Sequence, residues 1–199
     1  MVNVKIYKTI REDNFMVDTE RIFNYRVLGG LTGLFSIKNG LFEYPAYLRW
    51  AETEDGDRIL DSGSAFGSIF FASRSYKNLD LISMDVNYRM SRSAKKVKKI
   101  LDYFSQKNKR YVIGGSSSQI PLDDASVNRV IDHFALVYVQ DRKKTLEEYR
   151  RVLKPNGILI VMPAENDIIE AADSIFGSVN IQQQKRDFLY PVALKIVKK

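Results

Sequence analysis

The sequence predicts an α/β fold: a mostly parallel sheet with helices on both faces and an antiparallel strand near the C-terminus. Three observations carry this. Short apolar runs rich in Ile, Leu and Val recur at 58–62, 80–85, 110–114, 128–133 and 157–162, as strands buried on both faces require. Helical patterns separate most of them, and strands alternating with helices imply parallel neighbours joined by right-handed crossovers. The rhythm breaks after Ser178, where two strand-like runs follow one another across a short connection, so one of them must run antiparallel.

In chain order, residues 1–50 read as an N-terminal helical cap or lid segment and 51–199 as the core, in one domain overall. The first 50 residues hold eight of the 22 Phe and Tyr residues, together with Gly29, Gly30, Gly33, Gly40 and the only Trp. A short strand is expected near Val2 to Tyr7, a helix around Thr19 to Leu28, and a mobile connection after it. Such a segment is either a lid over a site or a helical layer completing the core.

The stretch "ILDSGSAFG" at 59–67 ends the first core strand on Asp61 and enters a turn of small residues, with a helix expected from near Ala65. "LISMD" ends the second strand at Asp85, and a helix is expected from near Tyr88. Within it Val97, Ile100, Leu101 and Phe104 recur at helical spacing with lysines between them. Leu146, Tyr149, Val152 and Leu153 form a second stripe, supported by Glu147 four residues before Arg151. Lys154-Pro155-Asn156-Gly157 stops that helix in a turn. Strands at Ser178 to Gln184 and Tyr190 to Val197 flank a connection around Lys185 to Asp187, and Pro191 marks a strand start or a sheet edge.

Composition removes several chemistries. Without Cys there is no disulfide, no thiolate metal site and no Cys nucleophile. The longest stretches without charge, such as Ser62 to Ser73, reach 12 residues, too short to span a bilayer. Lys5, Lys8, Arg11, Glu12 and Asp13 stand where a signal peptide needs an apolar run, so a cytoplasmic protein without membrane contact is expected. The net charge of +7 is uneven: between Arg89 and Arg110 nine residues are Lys or Arg, against Asp102 alone. This run reads either as a docking face for nucleic acid or as the wet side of an amphipathic helix.

In open α/β sheets ligands bind beyond the C-terminal ends of the strands. Gly63 and Gly67 bracket a turn whose backbone passes close to something. A dinucleotide turn wants G-x-G-x-x-G, whereas this one reads G-S-A-F-G-S and carries Asp61, which suits a cationic group better than a pyrophosphate. Asp85 lies 24 residues beyond Asp61, and a carboxylate there can accept from both hydroxyls of a ribose. It can equally cap the helix that follows.

From about Asp57 to Met162 the chain resembles class I S-adenosylmethionine-dependent methyltransferases, of the small-molecule type. "ILDSGSAFG" is similar to their acid-x-G-x-G-x-G motif, and "DVNYRMSRSAKK" to the segment after their second strand. "IPLDDASVNRV" and "LEEYRRVLKPNGILIVMP" resemble the segments leading into and forming their fourth and fifth strands. The resemblance implies a Rossmann-like sheet, S-adenosylmethionine as cofactor and S-adenosylhomocysteine as product. It implies that Asp61 faces the methionine ammonium, with Gly63, Ser64, Ala65 and Gly67 forming the cofactor turn. Asp85 would hold the ribose and Val86 the adenine, with Ser116 and Ser117 along the other adenine edge. His133 and Phe134 would line the methionine end.

The pattern also departs from the family. Ala65 replaces the middle glycine, Ser116 an adenine-binding acid, and Asn128 a common Asp. A base is needed only if the acceptor must lose a proton, and His133, the only His, is the candidate, ahead of Tyr25 and Tyr138. The Asn/Asp-Pro-Pro-Tyr/Phe motif of amino-group methyltransferases is absent. That argues against adenine or glutamine amides as acceptors, and the four ordered motifs with the compact size lead to the expectation of a small-molecule methyl acceptor. The alternatives are an RNA or protein acceptor bound by the basic 89–110 face, and a non-catalytic cofactor-binding module. The acceptor and the oligomeric state are not encoded in any motif.

Overall fold

The structure is a computed structural model that describes residues 38–105, 107–178, 181–185 and 192–199. Its strands are β1 (Arg58–Ser62), β2 (Asp80–Asp85), β3 (Lys109–Gly114), β4 (Val127–His133), β5 (Leu153–Met162), β6 (Ile181–Lys185) and β7 (Val192–Val197). They form one seven-stranded sheet in the order β3-β2-β1-β4-β5-β7-β6. β1 to β5 pair in parallel, and β7 runs antiparallel between β5 and β6. The five predicted core strands and the antiparallel C-terminal pairing are all present.

Alternation along each strand divides the core into two layers. On one face Leu60, Ile82, Val130, Leu159 and Val161 meet α4 (Arg142–Val152) and α5 (Asn166–Phe176) through Leu146, Val152, Ile168 and Phe176. On the other, Ile59, Leu81, Ile131, Ile160 and Met162 meet α1 (Tyr44–Trp50) and the short α2 (Ile69–Ala72). α3 (Tyr88–Phe104) covers β2 and β3 on that same side, with Val97 and Leu101 half-buried. A fully buried side chain such as Leu48 contributes about 2 kcal/mol of hydrophobic stabilisation, which is why α1 is a structural layer of the core. The strand expected at 2–7 and the helix expected at 19–28 lie outside the described residues.

Three local expectations are corrected. The helix after β1 begins at Ile69 rather than near Ala65, because residues 65–68 form turns, with Ala65 at φ +48° and Gly67 at φ +78°. Ile100 and Phe104 are 57% and 77% exposed instead of packing inward. At 3.6 residues per turn Ile100 lies about 120° away from the buried Ala94, and Phe104 is the last residue of α3. The Lys154-Pro155-Asn156-Gly157 turn does end α4, but it is absorbed into β5 as an irregularity. Val127 pairs with Leu153 and Arg129 with Ile158, with Asn156 at φ +61°.

The strand order reverses at β1, whose neighbours are β2 and β4. Side chains and loops at the C-terminal ends of these three strands therefore border the crevice in which ligands of such sheets bind.

Candidate cofactor site

Asp61 lies near the C-terminal end of β1 and is wholly buried. Its Oδ1 accepts the hydroxyl of Tyr44 at 2.8 Å. Its Oδ2 has no hydrogen bond of ordinary geometry, and the Ile69 N–H lies near the carboxyl group. Burial pushes this carboxyl well above the usual carboxylate range; Tyr44 and Ile69 pull it back, while the charges of Asp132 and Asp85 push it further up.

The turn that follows is built for close packing. A Cβ on Gly63, at φ +68°, would stand 2.3 Å from the Ala135 Cβ. A Cβ on Gly67 would stand 2.8 Å from the Phe70 ring. What passes close to these two glycines is thus the chain after β4 and the first turn of α2. Ser64 is buried, with its hydroxyl against that of Ser83 on β2 and its N–H donating to the Met84 carbonyl at 3.0 Å. Ala65 takes the left-handed conformation at φ +48°, where a side chain costs about 1–2 kcal/mol. Its N–H donates to Asp85 Oδ2 at 2.9 Å.

Asp85 closes β2. Its Oδ1 accepts the Asn87 N–H at 2.7 Å, and Asn87, not Asp85, caps α3 by accepting the Arg89 N–H. Burial raises the Asp85 carboxyl, against the opposing pull of the Asn87 and Ala65 N–H groups. A carboxylate offers about four lone-pair directions, so two remain. Val86 beside it is 55% exposed. The loop after β3 is shaped locally: the Gly115 N–H donates to the Asp85 carbonyl, and the hydroxyls of Ser116 and Ser118 lie 2.9 Å apart. Asn128 has a structural task, its side-chain oxygen accepting from the Arg58 N–H and the Lys154 ammonium.

His133 ends β4 half-buried among aromatic rings. Tyr44 lies edge-on at 5.5 Å, Tyr47 at 5.4 Å and Phe134 at 4.7 Å. Phe134 adopts φ +72° and donates its N–H to the Met162 carbonyl at 2.6 Å. Tyr138, 37% exposed, follows in a short 3₁₀ turn. Tyr25 lies outside the described residues. The structure thus gathers Asp61, the 63–67 turn, Asp85, His133 and Phe134 at the ends of three adjacent strands.

Four residues that matter here were not singled out from the sequence as site residues. Tyr44 and Tyr47 come from the segment read as a cap. Asp132 and Tyr149 form a buried pair, with the Tyr149 hydroxyl 2.5 Å from Asp132 Oδ2. An acid inside an apolar strand was the available signal for Asp132, since buried acids are almost always partnered. Burial raises its carboxyl to about 6, against the pull of Tyr149 and two backbone N–H groups. Among the described residues no group of His, Asp or Glu is placed to hold a metal ion, and no helix is long and apolar enough to cross a membrane.

A family model described as "Methyltransferase domain" matches residues 60–161. Among similar proteins, the demethylmenaquinone methyltransferase of Renibacterium salmoninarum is 31% identical over 108 residues, covering 53% of this chain and 40% of its own length. The ubiquinone/menaquinone biosynthesis C-methyltransferase of Vibrio cholerae is 24% identical over 179 residues, covering 85% of this chain and 66% of its own. The matched regions therefore span about two-fifths of the first relative and under two-thirds of the second. A SAM-dependent methyltransferase from Aquifex aeolicus superposes with a TM-score of 0.58 at 20% identity, over 82% of this chain and 93% of that one, which shows the shared fold.

Proposed function

The chain belongs to the methyltransferase domain family, and from that premise we propose that it transfers a methyl group from S-adenosylmethionine to a small-molecule acceptor. The observation that carries the reading is Asp85: a half-buried carboxylate at the switch point, holding two backbone N–H groups with two lone-pair directions to spare, beside an exposed Val86. Asp61 adds a buried acid whose Oδ2 lacks a partner of ordinary geometry. These residues fit a ligand with a vicinal diol, a flat base and an ammonium group.

Bound there, the cofactor supplies an electrophilic methyl group on a sulfonium. Asp85 accepts the ribose hydroxyls, and Val86 packs on the adenine face. Ser116 and Ser117 line its other edge with hydroxyl and N–H groups in place of an acid. Asp61 balances the ammonium. His133 and Phe134 wall the reacting end, where alignment of acceptor and methyl and exclusion of water supply the rate. Held among three aromatic rings, His133 shapes that wall, and it acts as a base only for an acceptor that must lose a proton.

Calorimetry with S-adenosylhomocysteine tests this. The wild type binds it, and Asp85→Ala weakens binding at least about tenfold, as loss of two hydrogen bonds to a charged group implies. Equal affinity of the two proteins would remove Asp85 from the site. Transfer of labelled methyl to a metabolite extract then separates an enzyme from a binding module.

A second reading has its own observation. Arg89, Arg92, Lys95, Lys96 and Lys99 on α3 are exposed and make no ion pair among the described residues, whereas Lys98 and Arg110 share Asp102. Exposed Tyr103 and Phe104 follow them, the mixture of cations and rings that binds single-stranded RNA. RNA retention that falls steeply with salt would favour an RNA acceptor, and no retention at low salt would retire it.

A further inference from the structure

The ends of β1 and β4 and the loop after β3 meet at one buried hydroxyl. Tyr149 on α4 is fully buried, and its hydroxyl lies 2.5 Å from Asp132 Oδ2 on β4 and 2.9 Å from Ser62 Oγ on β1. The Ser117 side chain, in the loop after β3, lies close enough to interact with the same hydroxyl. A phenol oxygen carries one proton and two lone pairs. The carboxylate is the one neighbour without a proton of its own, so Tyr149 donates to Asp132 while Ser62 and Ser117 donate to Tyr149.

Asp132 passes the connection onward. Its Oδ1 accepts the N–H of Ala135 at 2.9 Å and of Leu136 at 3.0 Å. These groups follow Phe134, whose left-handed conformation costs about 1–3 kcal/mol and persists only where the surroundings over-determine it. Ala135 in turn occupies the space a side chain on Gly63 would need, and Gly63 follows Ser62 directly. The loops after β1 and β4 are thus joined twice, by the Gly63–Ala135 contact and by Ser62–Tyr149–Asp132, and Ser117 ties in the loop after β3.

We propose that Tyr149 and Asp132 are positioning residues, which fix the loops after β1, β3 and β4 in one mutual arrangement before any ligand enters. Both side chains are buried, and both act through Ser62, Ser117, Ala135 and Leu136. This rests on the cofactor reading above for its consequence, since those loops carry Gly63 to Gly67, Ser117 and Phe134, but the coupling of the loops is a property of the unliganded chain.

The test uses Tyr149→Phe, which removes one oxygen and keeps the ring, with Val152→Ala on the same helix as an apolar control that only destabilises. Amide hydrogen exchange on the unliganded proteins and calorimetry with S-adenosylhomocysteine are the readouts. In Tyr149→Phe, exchange rises together at Ser64, Ala135 and Leu136 beyond any general increase, and affinity falls about tenfold, the scale of one hydrogen bond. Asp132→Asn, which keeps an acceptor for both N–H groups, binds more tightly than Asp132→Ala. Val152→Ala loses stability with affinity within about twofold of wild type. The proposal is overturned if Tyr149→Phe keeps wild-type affinity, or if its exchange pattern matches that of Val152→Ala. Should the wild type bind no S-adenosylhomocysteine, the cofactor reading fails, and the exchange pattern alone decides whether the loops are coupled.

Discussion

The hydroxyl of Tyr44, on the first described helix, donates across 2.8 Å to the Asp61 carboxylate at the end of the first core strand. A residue from the N-terminal segment thereby partners the acid at the glycine turn and partly offsets the effect of its burial. Burial, Asp61 and Tyr47 hold the Tyr44 hydroxyl itself well above the usual phenol range, so it remains a donor.

Removing that hydroxyl leaves the buried carboxyl with one fewer partner. Tyr44→Phe, whose ring still packs on His133, is expected to lose about 1–3 kcal/mol of unfolding free energy in urea. A loss below experimental error would mean that Asp61 finds another donor.

The raised Asp61 carboxyl also predicts a proton signal. Burial favours its neutral form, and a ligand ammonium beside it favours the ionised one. Binding of S-adenosylhomocysteine should therefore release protons over the pH range in which that carboxyl titrates, seen as binding heats that differ between buffers of different ionisation enthalpy. Asp61→Asn should abolish the difference, and heats independent of buffer across that whole range would show that binding does not change the charge of Asp61.

Two substitutions in the same turn should act in opposite directions. Ala65→Gly relieves a left-handed side chain at φ +48° and should stabilise by about 0.5–1 kcal/mol, raising the melting temperature by a few degrees. Gly63→Ala drives a methyl into Ala135 at φ +68° and should destabilise by more than about 2 kcal/mol. Equal melting temperatures for the two variants would contradict the geometry of the turn.

Asp132 predicts a pH dependence of stability. Its carboxyl titrates at about 6 in the fold against an ordinary 3.8. Between those values the folded state binds more protons than the unfolded one, so this group's contribution falls as pH rises from about 4 to about 6 and is flat above. Asp132→Asn removes that slope. Relative to wild type, the variant should gain up to about 3 kcal/mol over the same interval in urea midpoints followed with pH.

Much of this molecule was legible because period-two and helical patterns are local properties of a chain. The runs at 58–62, 80–85 and 128–133 became β1, β2 and β4 within a residue, and the two acids at strand ends, Asp61 and Asp85, arrived at the switch point. Arg89, Arg92, Lys95, Lys96 and Lys99 of the basic run proved to lie on the exposed side of α3, whereas Lys109 and Arg110 fall on β3, where Arg110 is buried and pairs with Asp102 beside Lys98. Ile100 and Phe104 misled because spacing gives the hydrophobic stripe but not where the sheet stops covering it.

By itself, the sequence determined the alternation of strands and helices, the antiparallel C-terminal strand and the placing of one acid at the end of each of two strands. These follow from side-chain periodicity and turn chemistry, which operate over a few residues. The tertiary structure alone decided that Gly63 makes room for Ala135, that Tyr44 serves Asp61, and that Tyr149 joins Ser62, Ser117 and Asp132. Those contacts join different elements, and a buried polar group selects its partner by proximity in the packed core, where leaving it unpaired costs about 1–3 kcal/mol.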